Sequence, residues 1–399
     1  MPGWHEKTRK LRNEGKLDLV GIIQEQHPDR CRLFMAWKRM DFPILVDSLN
    51  LLGVSAVPIA VLVDEAGVIR GLNPKVEEVE EFAEKSEPGA VAAPAPSIPG
   101  LAALEEKARA NGTSAMAWLD LGDALFLQGS EASLDRSIEA YRKSVALDGP
   151  PEGYFRLGVA LRRRFEIPAR KGGDLQAAID AWTRALAARP DQYIWRRRLQ
   201  QYGPRLEKPY AFYDWVKEAR AEISARGEKP PELLQEPRGA EIAHPVKEFR
   251  KDSSGESDGA LQGPDPEGKV PRDRGNLVRI ETAVAPAPVA RGKTARAFLV
   301  LRPEGLEPAH WNNESEPLIV WLSPPEGLDL DGLRHSIPNP REPSTDEARQ
   351  VEFELRVKPD EAASSLHLPG YALYSICEEK TGICKLVRQD FTLTIAVKD

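Results

Sequence analysis

Three cysteines, at positions 31, 377 and 384, offer more chemistry than any other residues in this sequence. Cys377 and Cys384 flank a segment in which Glu379-Lys380-Thr381-Gly382 reads as a turn. A hairpin symmetric about that turn sets residue 378 opposite 383 and Cys377 opposite Cys384. Directly opposed residues have Cα atoms roughly 4.5–5.5 Å apart, within reach of a disulfide. Such a bridge closes a short loop and adds little chain entropy, and an exposed bridge is the more easily reduced kind. Three readings stand side by side: a reversible redox pair, a stapling disulfide, or two reduced thiols packed in a sheet. Lys380 and Lys385 favour a thiolate, whereas Glu378 and Glu379 oppose it. Cys31 falls in the middle of a helical stretch and reads as a small, half-buried apolar residue rather than a reactive thiol.

Other chemistries have no footing. The histidines at 5, 27, 244, 310, 335 and 367 never pair at metal-ligand spacing, and no Cys/His cluster suggests zinc. There is no Gly-rich phosphate loop and no Gly-x-Ser-x-Gly elbow, so neither a metal nor a cofactor is expected. His310-Trp311-Asn312-Asn313 opens a strand in which Trp311 reads as a core or groove residue, with no chemistry assigned. A net charge of −7 argues against a nucleic-acid partner, which would need a basic face. The composition, 41% hydrophobic and 29% charged, is that of a globular chain. No apolar run approaches the ~20 residues that span a bilayer, and no secretory signal opens the chain, so the cytoplasm is the default compartment.

The elements that would position these residues fall into three groups. In residues 1–86, a helix around 8–15, a strand at 16–24, a helix at 29–40 and an extended piece at 41–47 lead into an aliphatic run around Pro58. That run, Val57-Pro58-Ile59-Ala60-Val61-Leu62-Val63, predicts a fully buried strand with proline at its start. A hairpin across Glu65–Gly67 and an amphipathic helix over 76–85 follow. The phrases GIIQEQH, FPILVD and AVPIAVLVDEAGVIRG together resemble the redoxin branch of bacterial thioredoxin-like proteins, related to thiol reductases and peroxiredoxins. The resemblance implies an α/β fold and makes Pro58 the candidate cis-proline that faces a Cys-x-x-Cys. That motif is absent: Met1-Pro2-Gly3-Trp4 falls on its position, and the strand expected before it is missing. The N-terminus is therefore expected to be incomplete or this copy degenerate, and an export signal could lie in the missing part. The Thr-x-x-Cys of peroxiredoxins is also absent.

Residues 87–100, with prolines at 88, 94, 96 and 99, read as an extended linker. Over 101–226 the period becomes helical. Ala117-Trp118-Leu119-Asp120-Leu121-Gly122 is echoed by Gly153-Tyr154-Phe155-Arg156-Leu157-Gly158, and Ser137–Leu147 by Ala178–Leu186. These segments resemble tetratricopeptide repeats, which implies an all-α array that docks a protein partner. Two repeats need caps; Leu101–Ala110, Tyr193–Gln201 and Tyr210–Ala225 are assigned to that task, their rings in the core and Arg196, Arg197 and Arg198 solvated. Residues 227–275, polar and Ser/Gly-rich at the centre, read as a mobile linker.

From 276 to 399 the sequence alternates at period two, and six or seven strands with proline-rich turns suggest an all-β immunoglobulin-like sandwich. The stretch Ala372–Cys377 through Gly382–Cys384 to Asp390 resembles the N-terminal domain of the bacterial thiol:disulfide interchange protein, though the Cys-x6-Cys spacing is not that family's own. That resemblance implies that Cys377 and Cys384 are catalytic. The leading expectation is a multidomain interaction scaffold of a redox-related system; the alternative is a thiol:disulfide oxidoreductase using that pair.

Overall fold

The structure, a computed structural model, describes residues 2–24, 27–85, 99–206, 213, 215–233, 236–242, 249, 263–305 and 308–399. Both helices and sheets are present, in two compact units built from non-contiguous stretches. The first comprises Met1–Arg163, Arg184–Arg198 and Phe212–Pro237; the second comprises Arg164–Thr183, Leu199–Ala211 and Arg238–Asp399. The stretch 101–226 contributes to both. Residues 87–98 of the expected first linker, and Tyr210 and Phe212, lie outside the described residues.

The chain opens with two short helices, α1 (Pro2–Lys7) and α2 (Arg9–Asn13). Strand β1 (Gly21–Ile23) pairs in parallel with β2 (Ile44–Val46), and the crossover between them is α3 (Asp29–Lys38). Strands β3 (Val61–Val63) and β4 (Ile69–Leu72) form an antiparallel hairpin, with Gly67 at φ +78° in the turn where an L side chain would be strained. Helix α4 (Val76–Glu84) follows. Two expectations are corrected here. The strand over 16–24 contracts to three residues, and the aliphatic run after Pro58 is neither long nor buried. Val57, Ile59, Val61 and Val63 are all exposed. The reason is pairing: among the described residues β1–β2 and β3–β4 are separate two-stranded sheets with no further strand beside either.

The remaining helices are α5 (Leu101–Ala110), α6 (Ala115–Leu127), α7 (Glu131–Ala146), α8 (Pro151–Phe165), α9 (Asp174–Ala188), α10 (Tyr193–Gln200) and α11 (Trp215–Ala225). Ser114 and Ser130 start α6 and α7 by accepting hydrogen bonds from the Ala117 and Ser133 amides. The two helices close on each other through Gly122, where a Cβ would come within 2.5 Å of the Tyr141 ring. Asp123 ties the same region together: it accepts from Tyr141 Oη at 2.8 Å and from Arg156 of α8 at 2.5 Å, while Arg156 also donates to the Leu49 carbonyl at 3.3 Å. Helix α11, expected to cap the repeats, instead packs on α3: Val216, Ala219 and Ile223 bury against Leu33 and Trp37, and Trp215 stacks on Trp37 at 5.9 Å. Arg198 is also not solvated. It is buried, with Nη2 donating to the Gln24 carbonyl at 2.6 Å, because Trp195 beside it is drawn into the core against Phe155.

In the second unit eleven strands are described, more than the pattern predicted: β5 (Arg279–Ala285), β6 (Val289–Ala290), β7 (Thr294–Arg302), β8 (Ala309–Asn312), β9 (Leu318–Leu322), β10 (Leu328–Leu330), β11 (Arg334–Ile337), β12 (Ser344–Thr345), β13 (Arg349–Val357), β14 (Ser365–Glu378) and β15 (Cys384–Lys398). One sheet runs β10-β13-β7-β5; the other runs β11-β9-β14-β15-β6, with β8 pairing β14 and β12. The β15–β6 pairing is parallel, a departure from the antiparallel expectation. Leu299, Leu301, Phe353 and Leu355 of the first sheet share one core with Trp311, Ile376, Leu393 and Ile395 of the second, the alternation at period two having put them all inward. Trp311 is fully buried, and its Nε1–H donates to the Glu347 carbonyl at 2.8 Å. Residues 263–275, read from composition as part of a linker, lie against the second sheet: Asp265 and Asp273 are buried, and Val270 packs on Trp321 and Tyr371.

Candidate functional site

Strands β14 and β15 pair over thirteen residues, from Ser365↔Ala396 to Cys377↔Cys384, and that register sets the two cysteines opposite each other. The turn between them places Gly382 at φ +66°, and Glu378 N–H donates to the Ile383 carbonyl at 3.1 Å. The two cysteines are joined in a disulfide with Cα atoms 3.9 Å apart. Cys377 is 4% exposed, whereas Cys384 lies in the exposed tip beside Ile383 and Leu386, two exposed aliphatics.

The hydrogen-bond alternation locates the pair more closely. At the tip, residue 378 bonds across to β15, while Glu379 N–H donates to Pro308 O at 3.0 Å on the β8 side. Bonding direction alternates along a strand, so Cys377 turns its backbone toward β8 and meets Cys384 across the narrow, non-hydrogen-bonded spacing. On the β8 side the residue in register with Cys377 is His310, which is half-buried. Three strands therefore carry a row His310–Cys377–Cys384 on one face of the sheet. Its neighbours Trp311 and Ile376 point the other way, into the core.

The charges expected to tune the thiols are partly spent on each other. Lys385 Nζ lies 2.5 Å from Glu378 Oε1, and Thr381 Oγ1 donates to Glu378 Oε2 at 3.1 Å. Those hydrogen bonds, the one from Lys385 first, hold the Glu378 carboxyl below its usual range. Both residues sit on the face of the hairpin opposite the sulfurs, by the same alternation. Further down the hairpin, Arg388 lies 3.7 Å from the centre of the Tyr371 ring and pairs with Asp265 at 2.9 Å. Tyr374 Oη is 2.9 Å from Asp273 Oδ2, and burial followed by that carboxylate pushes the phenol well above its usual range.

Elsewhere the site residues are dispersed. The Val57–Pro58 peptide is cis and Pro58 is exposed. The first unit contains one cysteine, Cys31, half-buried and in the first turn of α3 rather than in mid-helix as expected, because the helix begins at Asp29. Among the described residues no group of three His, Cys, Asp or Glu side chains is placed to hold a metal, and no helix is long and apolar enough to cross a membrane. Sequence reading missed His310. Its relation to the cysteines depends on the β8–β14 pairing, which a local pattern does not carry.

No protein family's sequence model matches the chain, and no curated protein matches it. Among solved structures, a FixG-related protein from Vibrio parahaemolyticus aligns over 29% of this chain and 95% of its own, at 6% identity and a TM-score of 0.15. AvmM, which catalyses macrocyclization in alchivemycin A biosynthesis, aligns over 30% and 89%, at 14% identity and 0.16. The alkylpurine DNA glycosylase AlkC of Pseudomonas fluorescens, bound to DNA containing an abasic site analog, aligns over 80% and 85%, at 12% identity and 0.15. At such TM-scores none of these likenesses carries an argument about fold or activity.

Proposed function

We propose that this chain exchanges thiols and disulfides with a dithiol on a partner protein, using Cys377 and Cys384. One observation carries the reading: the two are bridged at a hairpin tip where Cys384 is exposed and Cys377 is buried. A partner thiolate attacks the accessible sulfur, Sγ of Cys384. The Sγ–Sγ bond breaks, Cys377 leaves as a thiolate, and a mixed disulfide with Cys384 forms. The partner's second thiolate then attacks its own sulfur in that mixed disulfide and releases Cys384. The chain ends as a dithiol and the partner as a disulfide, and the reverse sequence reoxidises the chain. In this proposal residues 276–399 are an immunoglobulin-like exchange module, residues 101–226 a tetratricopeptide-type array that holds the partner, and residues 1–86 a thioredoxin-like domain without a dithiol of its own.

The scaffold reading rests on a different observation. The one cysteine of the first unit, Cys31, is the third residue of α3, and the unit's sequence holds no Cys-x-x-Cys. A redox titration of purified protein, with alkylation of Cys31, Cys377 and Cys384 read by mass spectrometry, separates the two. Interconversion of Cys377 and Cys384 in the range of exchange proteins, roughly −120 to −270 mV, supports exchange. A pair that stays bridged under strong reductant, or reduced under oxidant, leaves the scaffold.

A further inference from the structure

We infer that His310 is the proton-donating partner of Cys377 in this exchange, a deepening that rests on the reading above. The argument starts from burial. The sulfur that must leave first belongs to Cys377, whose residue is only 4% exposed. A thiolate released there loses most of its water, and burial without a compensating charge disfavours the anionic form. Exchange rates depend on how well the leaving thiolate is stabilised. Some group must therefore meet the sulfur on its unexposed side.

The register names that group. Cys384 occupies the position across from Cys377 on β15, and His310 occupies it on β8. Opposed residues in an antiparallel pair share a face, and in a hydrogen-bonded pair their Cα atoms are about 5.5 Å apart, so His310 is the cross-strand neighbour of Cys377 on that face. Histidine is the side chain able to bring a proton to that position and take it away again between pH 5 and 8. Other charged residues are worse placed. Glu378 and Lys385 are paired with each other on the opposite face; Glu379 and Lys380 lie in the exposed turn; Asp346 follows β12 on the far side of β8.

The step balances. A thiolate of the reductant bonds to Sγ of Cys384, the electron pair of the Sγ–Sγ bond moves to Sγ of Cys377, and the imidazolium of His310 gives its ring proton to that sulfur. The neutral imidazole regains a proton from water. In reoxidation it takes the proton back and leaves Cys377 as the attacking thiolate.

Dithiothreitol serves as the reductant in the test, with wild-type protein and His310→Gln measured across pH 5–9. The rate is corrected for the thiolate fraction of the reductant, and Trp fluorescence verifies the fold. Wild type should show an inflection within the measured range. His310→Gln should lose it and react at least about tenfold more slowly on the acid side, while His310→Lys should recover rate without the inflection. Glutathione trapping should place the first mixed disulfide on Cys384. A wild-type profile without an inflection overturns the inference by itself, whether or not a variant folds. Matching profiles for wild type and His310→Gln overturn it while leaving exchange intact. A bridge that dithiothreitol cannot open in wild type overturns both.

Discussion

Two regions of this chain use the same aliphatic alphabet and reach opposite ends. In β1 to β4, Ile22, Leu45, Val61, Val63 and Ile69 are exposed, in sheets of two strands each. In the second unit Val320, Leu355, Ile376 and Ile395 are fully buried, between sheets whose strands pair with two neighbours and share a core. Residue type does not separate the two sets. Closure does. A strand buries its side chains only when further strands and a second layer cover it, and a parallel pair in particular normally has both faces covered. Edges are treated differently too. On β5, the side-chain amide of Gln176 receives Val284 N–H at 2.8 Å and donates to Val284 O at 3.3 Å, standing in for a neighbouring strand.

The largest effect that this contrast predicts is in the sandwich core. Trp311→Ala removes a fully buried indole that also hydrogen-bonds Glu347, and should cost about 3–5 kcal/mol in urea unfolding of the unit that holds it. A loss below about 1 kcal/mol would mean that the two sheets do not share the packed core described here.

Next in size is a charge in the first unit. Burial raises the Asp123 carboxyl to about 6, against the opposing pull of Arg156 and of the Tyr141 hydrogen bond. In the unfolded chain an aspartate releases its proton near pH 3.9, so between about 4 and 6 the folded protein holds the extra proton. The stability contributed by that proton is complete below about pH 4 and lost as pH rises through 6, on the order of 2–3 kcal/mol. Thermal melts across pH 4–7 should show this decline, and Asp123→Asn should flatten it. A stability that rises over the same window would reverse the assignment.

Gln176→Ala tests the covered edge. It leaves Val284 N–H and C=O without the amide that satisfies them, which should cost about 1–3 kcal/mol. It should also speed hydrogen exchange at Val284 selectively. Unchanged protection there would mean that water substitutes fully for the side chain.

How much of this was legible beforehand follows from the same contrast. The apolar runs and period-two alternation located β7, β9, β13, β14 and β15, and the turn at 379–382 placed Cys377 opposite Cys384. The two-residue strands β6 and β12 escaped notice, since two residues carry no period, and the strand expected to open at His310 and run on to Trp321 is two strands, β8 and β9. His310 was placed on a strand, but its register with Cys377 is set by a pairing between distant segments that a local pattern does not carry. The run after Pro58 read as a buried strand because composition encodes the preference for cover and not its supply. Arg198 was assigned to solvent on charge alone, whereas its aliphatic stem follows Trp195 inward.

The smallest expected effect comes from the uncovered region and is the most pointed. Val61→Thr and Ile69→Thr change side chains that already face water, on strands that pair only with each other among the described residues. Each should therefore shift stability by less than about 0.5 kcal/mol, since threonine keeps the β-branched shape that suits a strand. Solution behaviour should move more than stability. Contiguous exposed aliphatics bind hydrophobic dyes and promote association, so the double variant should bind less dye and sediment with less self-association than the parent. The two readouts together decide the comparison. A loss of several kcal/mol would show that β3 and β4 are covered in solution by something the chain itself supplies. A neutral change in stability with reduced association would show that their side chains stay open there, unlike those of the sandwich.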